Sequence, residues 1–217
     1  MRRTELYLCA PCCAVLLMAV GVLCSTSGCS GPAVQVAQAA PTAGSSLNAD
    51  ALKLLDLDSK PFDLPKSSEG HVHVVLFTRS DCPVSNQLAP EIRMLFEMLH
   101  PQGVDFYLVY VDPNEKPEAI REHLRQYEYP CTGLRDPEHT LVAQTGATVT
   151  PEAVVFDRDW HLAYRGRINN EYIEVGKSRT ASVQHDLREA IEATLADRPV
   201  PEAISRRAVG CYIGDLK

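Results

Sequence analysis

Two stretches of the chain are almost continuously apolar, while the segments around them are apolar only at every third or fourth position. Val72–Thr78 (VHVVLFT) and Val104–Asp112 (VDFYLVYVD) are rich in β-branched and aromatic residues and predict strands covered on both faces. Between them, PVSNQLAPEIRMLFEML places Leu88, Ile92, Leu95, Phe96 and Leu99 three to four positions apart, the stripe of an amphipathic helix. Lys116–Tyr127 predicts a second helix and Pro137–Gly146 a short third one stopped by Gly146. EAVVFD and LAYRGRI on either side of RDWH predict a hairpin. A last helix is predicted over about Ser182–Ala196, with Val183, Leu187, Ile191 and Leu195 on one stripe. The order β-α-β-α-(α)-β-β-α is that of an α/β protein with a central mixed sheet flanked by helices. Crossover helices demand parallel strands, and the hairpin adds an antiparallel edge.

The N-terminal stretch does not fit this pattern. Arg2 and Arg3, the apolar run Ala14–Leu23 and small residues before Cys29 predict an export signal over residues 1–29, its apolar core too short for a comfortable membrane span. Ser27-Gly28-Cys29 resembles a bacterial lipoprotein cleavage site, although Thr26 stands where an aliphatic residue is usual. Lipidation at Cys29 with membrane attachment, and simple cleavage into the periplasm, both fit. Residues 30–46 are small and uncharged, a composition that cannot offset its chain entropy and predicts a flexible linker. Residues 47–217 are then one domain. A net charge of −7 without a basic stripe excludes nucleic acid as partner.

Cysteine placement carries the chemistry. Of eight cysteines, Cys9, Cys12, Cys13, Cys24 and Cys29 lie in the predicted signal, leaving Cys82, Cys131 and Cys211 in the domain. An odd number in an exported domain leaves at least one thiol free or reactive. Cys82 follows the first strand and precedes Pro83, which suits the first turn of a helix. Cys82 is therefore expected at the N-cap, where unpaired N–H groups and the positive helix end favour thiolate. Its neighbours Arg79, Ser80, Asp81 and Ser85 are polar, which argues against a merely packed cysteine.

A strand followed by CPVSNQLAPEI resembles the thioredoxin active-site helix, including Pro90 eight residues after the cysteine. GATVTPEAVVFD resembles that family's cis-proline segment, with Thr150 before Pro151. DCPVSNQLAP, TPEAVVFD, YRGRINNEY and VGCYI together resemble exported bacterial redoxins of the alkyl hydroperoxide reductase and thiol-specific antioxidant class, over about residues 50–214. The resemblance implies a thioredoxin-like fold, with Cys82 as nucleophile and the Thr150–Pro151 loop facing it and pairing with an extended substrate chain. Three departures limit it. Ser85 replaces the second cysteine of the thioredoxin pair, and Asp81 stands in place of tryptophan. The peroxiredoxin signature is also missing, its proline and threonine positions being Val75 and Arg79.

With no adjacent thiol, turnover needs a distal resolving cysteine. Cys211 in the tail VGCYIGDLK is the first candidate and Cys131 in YPCTGLRD the second. An external thiol is a third route, and a Cys131–Cys211 bond is a further possibility. The expected function is thiol–disulfide exchange or peroxide reduction, with a protein disulfide or a peroxide as substrate, an external thiol reductant and no cofactor. The alternative is a thioredoxin-fold binding module that captures thiols or metal without turning over. Its copper-binding version, a C-x-x-x-C pair, is disfavoured because no second cysteine falls within Asp81–Asn86. His71 and His73 alternate on the first strand with no further ligand at metal-binding spacing, and solvation at a sheet edge is expected for them. Arg165 and Arg167 are candidates for stabilising an oxyanion or thiolate, against the plainer expectation of surface charges. Asn169–Asn170 is expected to form a turn, and Trp160 to anchor the hairpin.

Overall fold

The computed structural model describes residues 45–65, 70–178, 183–201, 204 and 207–214. The chain divides into two units, Met1–Ala37 and Gln38–Lys217, and every described residue belongs to the second. The expected signal over 1–29, including Cys29, and most of the expected linker lie outside the described residues. Ser45 and Ser46, placed in the linker by composition, already belong to the fold. The Ser45 carbonyl accepts the Leu162 N–H at 3.0 Å, and Ser46 bridges His161. Their backbone satisfies groups on the outer edge of a strand that composition cannot reveal.

Strand β1 (Val72–Thr78) pairs in parallel with β2 (Val104–Tyr110), which pairs in parallel with β3 (Thr132–Arg135). On the other side of β1, β5 (Glu152–Phe156) and then β6 (Leu162–Gly166) run antiparallel, so the sheet order is β3-β2-β1-β5-β6. All seven residues of β1 are buried, as its unbroken apolar pattern requires. The pleat sorts its side chains. Val72, Val74 and Leu76 join one core with Ile92, Leu95, Leu99, Leu187 and Ile191 from the helices α2 (Ala89–Leu99) and α5 (Asp186–Leu195). Val75 and Phe77 join the opposite core with Leu141 and Val142 of α4 (Thr140–Thr145).

The first predicted helix is broken into α1 (Pro83–Gln87) and α2 at Leu88. Pro90 lacks the N–H that would continue the ladder, so the stripe carries through while the helix does not. Helix α3 (Pro117–Gln126) lies within its predicted span. Four short strands were not expected from the pattern: β3, β4 (Val149–Thr150) and the β7–β8 hairpin (Tyr172–Glu174 and Lys177–Ser178). A fifth, β9 (Cys211–Tyr212), lies in the C-terminal tail.

His73 corrects the expectation of edge solvation. Its strand is central, the side chain is 1% exposed, and its ring stacks on Trp160 with centroids 3.9 Å apart. Trp160 closes the β5–β6 turn at φ 60, a conformation held by Asp157, whose Oδ1 accepts the N–H groups of Asp159 and His161.

Candidate active site

Cys82 is the N-cap of α1, with φ −81 and ψ 111 and Pro83 at the next position. Its sulfur makes no capping hydrogen bond of full geometry, although the Ser85 N–H of the first turn faces it. The thiol donates instead to the Thr150 carbonyl at 3.0 Å, across 68 residues of sequence, and the residue is fully buried. Two buried hydroxyls, Ser85 Oγ and Thr150 Oγ1, have no other hydrogen-bond partner and face this sulfur. Burial raises the thiol's pKa, but the Ser85 hydroxyl and N–H, then Thr150 and Cys211, together outweigh it and hold Cys82 below the ordinary thiol value. Asp81, in place of the thioredoxin tryptophan, brings a negative charge next to the thiol. Its carboxylate is 68% exposed and bonded to Arg79 at 2.8 Å, which turns that charge toward solvent and a counter-ion.

The loop opposite is built from β4 and Pro151, joined to Thr150 by a cis peptide bond. Glu152 organises it. Its carboxylate accepts the Thr148 N–H at 2.8 Å and the Val149 N–H at 3.4 Å, and lies 3.6 Å from Arg165 Nε. Arg165 also bonds the carbonyls of Thr145 and Gly146, while Arg167 grips Asp186 through Nε at 2.7 Å and through its second nitrogen at 3.1 Å. Neither arginine is a surface charge nor a partner of the sulfur. Arg165 braces the backbone leading into the loop, and Arg167 ties the end of β6 to the first residue of α5. Asn169 and Asn170 are likewise buried: Asn169 bonds Glu91 of α2, and Asn170 accepts the Gln184 N–H at 2.7 Å.

Cys211 comes to Cys82 through this loop. Strand β9 pairs antiparallel with β4, with Thr150 opposite Cys211 and Val149 opposite Tyr212. The Cys211 side chain is within hydrogen-bonding reach of the Cys82 sulfur, and its own pKa is pushed up to about 11 by burial, then by the hydrogen bond and charge of Cys82. Cys131 is in a different setting. It is 8% exposed, packed with Tyr129 in the core, and burial pushes its thiol up to about 12. All three cysteines are free. Of the predicted residues, Cys82, Cys211, Thr150 and Pro151 meet in one place, and Cys131 belongs to the core.

Sequence reasoning saw Ser85 as a polar neighbour and a missing cysteine, but not that its hydroxyl and N–H face the sulfur. It also missed Glu152, although a carboxylate directly after the proline of TPEAVVFD was visible. A polar chain behind α1 was missed too. The Tyr110 hydroxyl bonds His123 Nδ1 at 2.7 Å, His123 Nε2 bonds Asn86 Oδ1 at 2.8 Å, and Asn86 Nδ2 donates to the Ser80 carbonyl at 2.9 Å. This chain ties β2 and α3 to the cysteine's helix.

The Redoxin family model matches residues 35–180, a span that holds Cys82, Thr150 and Pro151 and ends before Cys211. A search of curated proteins returned no match. Among solved structures, an uncharacterized conserved protein from Geobacillus kaustophilus is similar at 24% identity and a TM-score of 0.68, over 81% of this chain and 93% of that one. A hypothetical protein from Sinorhizobium meliloti is similar at 23% identity and a TM-score of 0.67, over 80% and 94%. The MTB protein dsbF, described in mixed oxidized and reduced forms, is similar at 18% identity and a TM-score of 0.50, over 69% and 99%. At these identities the likeness is one of fold.

Proposed function

Because the chain belongs to the Redoxin family, whose function is thiol-based redox chemistry, we propose that it is an exported thiol–disulfide oxidoreductase with Cys82 as nucleophile and Cys211 as resolving thiol. The observation that carries this reading is the surroundings of one sulfur. Cys82 faces two otherwise unpartnered hydroxyls and a second thiol, and its proton is held only by the Thr150 carbonyl.

In the first step the Cys82 thiolate attacks one sulfur of a substrate protein's disulfide. The substrate S–S bond breaks, a Cys82–substrate bond forms, and the departing substrate sulfur leaves as thiolate. Cys211 starts this step protonated, because burial and the neighbouring Cys82 charge raise its pKa. Once Cys82 is in the mixed disulfide that charge is gone, and Cys211 ionises more readily. Its thiolate then attacks the Cys82 sulfur, forms the Cys82–Cys211 disulfide and releases the second substrate thiol. An external thiol reductant restores both cysteines. Thr150 and Pro151 fix the backbone against which the reacting sulfur lies. Arg2, Arg3, Ala14–Leu23 and Cys29 support delivery across a membrane, into the periplasm or held there by a lipid.

Reduction of insulin disulfides with an external dithiol tests this. Cys82→Ser is expected to abolish it. Cys211→Ser is expected to give one turnover, trapped as a mixed disulfide visible by mass, and then to stop. Normal cycling by Cys211→Ser refutes the resolver assignment. Consumption of peroxide with no disulfide reduction makes the protein a peroxidase. A stoichiometric adduct without either activity makes it a binding module.

A further inference from the structure

The C-terminal tail does more than bring a second thiol to the first. Strand β9 fills the backbone edge of β4 beside Cys82, with Thr150 opposite Cys211 and the Ile213 N–H bonded to the Thr148 carbonyl at 3.0 Å. Gly210 makes this closeness possible, since a Cβ there would overlap the Thr150 carbonyl, while its φ lies outside the left-handed region. Space alone demands glycine. The tail is fastened on both sides of the cysteine, because Ala208 is 4% exposed and Ile213, at 5%, sits in the core with Leu141 and Phe77. Tyr212 between them is 70% exposed. Val209 also helps close a narrow cleft lined by Val84, Leu88, Pro151, Asn169 and Tyr172. Beneath the tail, Cys82 is fully buried.

We propose that residues 207–214 form a tethered lid that occupies the strand-pairing edge of β4 beside the nucleophile, so that Cys82 becomes accessible only when the tail undocks. The inference rests on the reading of Cys82 as nucleophile. It adds a gate: the segment that carries the resolving thiol also covers the attacking one, and an incoming chain must displace it. The same tether then returns Cys211 to the mixed disulfide.

Alkylation of Cys82 by iodoacetamide, followed by mass on its own peptide in full-length Cys211→Ser protein, reads the gate directly. That background keeps the tail's backbone pairing and prevents a disulfide. Adding Gly210→Ala or Ile213→Ser, which undock the tail from opposite sides, is expected to speed alkylation by at least about tenfold, since the rate follows the open population. Tyr212→Ala, altering an exposed side chain, is expected to leave the rate unchanged. Equal and fast rates in parent and undocked proteins overturn the lid and keep the nucleophile. Equal and slow rates overturn both. Should either undocking variant fail to fold, hydrogen exchange in the unaltered chain decides. The Ile213 amide is expected to lose protection once a bulky maleimide occupies Cys82, and retained protection would sink the proposal.

Discussion

The ionisation of Cys82 is a contest between burial and donors, and the donors prevail. Ser85 contributes both a hydroxyl and an N–H, which makes it the largest favourable influence after the opposing effect of burial. Ser85→Ala removes the hydroxyl and leaves the backbone donor. Its expected effect is a higher Cys82 pKa, with alkylation near neutral pH slowed about fivefold, the value of one net hydrogen bond of about 1 kcal/mol. A thiolate absorbance titration on the same variant checks the direction, and an unshifted curve removes Ser85 from the site. Cys82 at a strand–helix junction and Ser85 three residues on were legible locally, but the relation between them was not. That depends on tertiary closure, because the sulfur lies between the Ser85 donors of the helix end and the Thr150 carbonyl that takes its proton.

Among elements, α4 shows how a site is positioned from a distance. Asp136, fully buried just before it, accepts the N–H groups of Thr140 at 2.8 Å, Leu141 at 2.9 Å and Val142 at 3.0 Å, and the Thr140 hydroxyl at 3.0 Å. The helix ends at Gly146 in the left-handed region, from which the chain passes to β4 and the Thr150–Pro151 loop. Asp136→Ala leaves these donors unpaired and is expected to lower unfolding free energy by about 2–4 kcal/mol in urea titrations. Asp136→Asn, which keeps part of the pattern, is expected to lose less. Helix α4 was legible because its apolar spacing and terminal glycine are local. Strands β3, β4 and β9 were not, since two to four residues without apolar alternation pair only when another backbone is brought alongside.

At the scale of the whole molecule, two buried histidines set an acid limit. His73 is lowered to about 4 by burial, against which Asp105 and Asp157 act in part and to which His71 adds; His123 is lowered to about 4 by burial alone. From the ordinary value of 6.5 down to about 4, the unfolded chain binds protons that the native protein refuses. This stability is therefore fully present above the ordinary value and is lost as pH falls toward the folded one, by up to roughly 3 kcal/mol per histidine. Urea midpoints measured across that window are expected to fall, and His73→Phe, which keeps a ring against Trp160, is expected to flatten the decline. A flat profile in the unaltered protein would show that neither histidine is held neutral.

The alternation of apolar runs with three-to-four spacing determined strands β1, β2, β5 and β6, the helices, the parallel crossovers and the antiparallel hairpin, because each rests on periodicities of a few residues. The same local chemistry singled out Cys82, while a resemblance to the thioredoxin family singled out Pro90 and the Thr150–Pro151 pair. Which thiol meets Cys82 was beyond it. Cys131 and Cys211 stand at comparable positions in their local sequence, yet one is enclosed in the core and the other is carried on a strand whose partner is the loop itself. Proximity between residues 82, 150 and 211 arises only when the sheet closes and the tail docks, and burial, orphaned hydroxyls and the resulting acidity of the sulfur come with it.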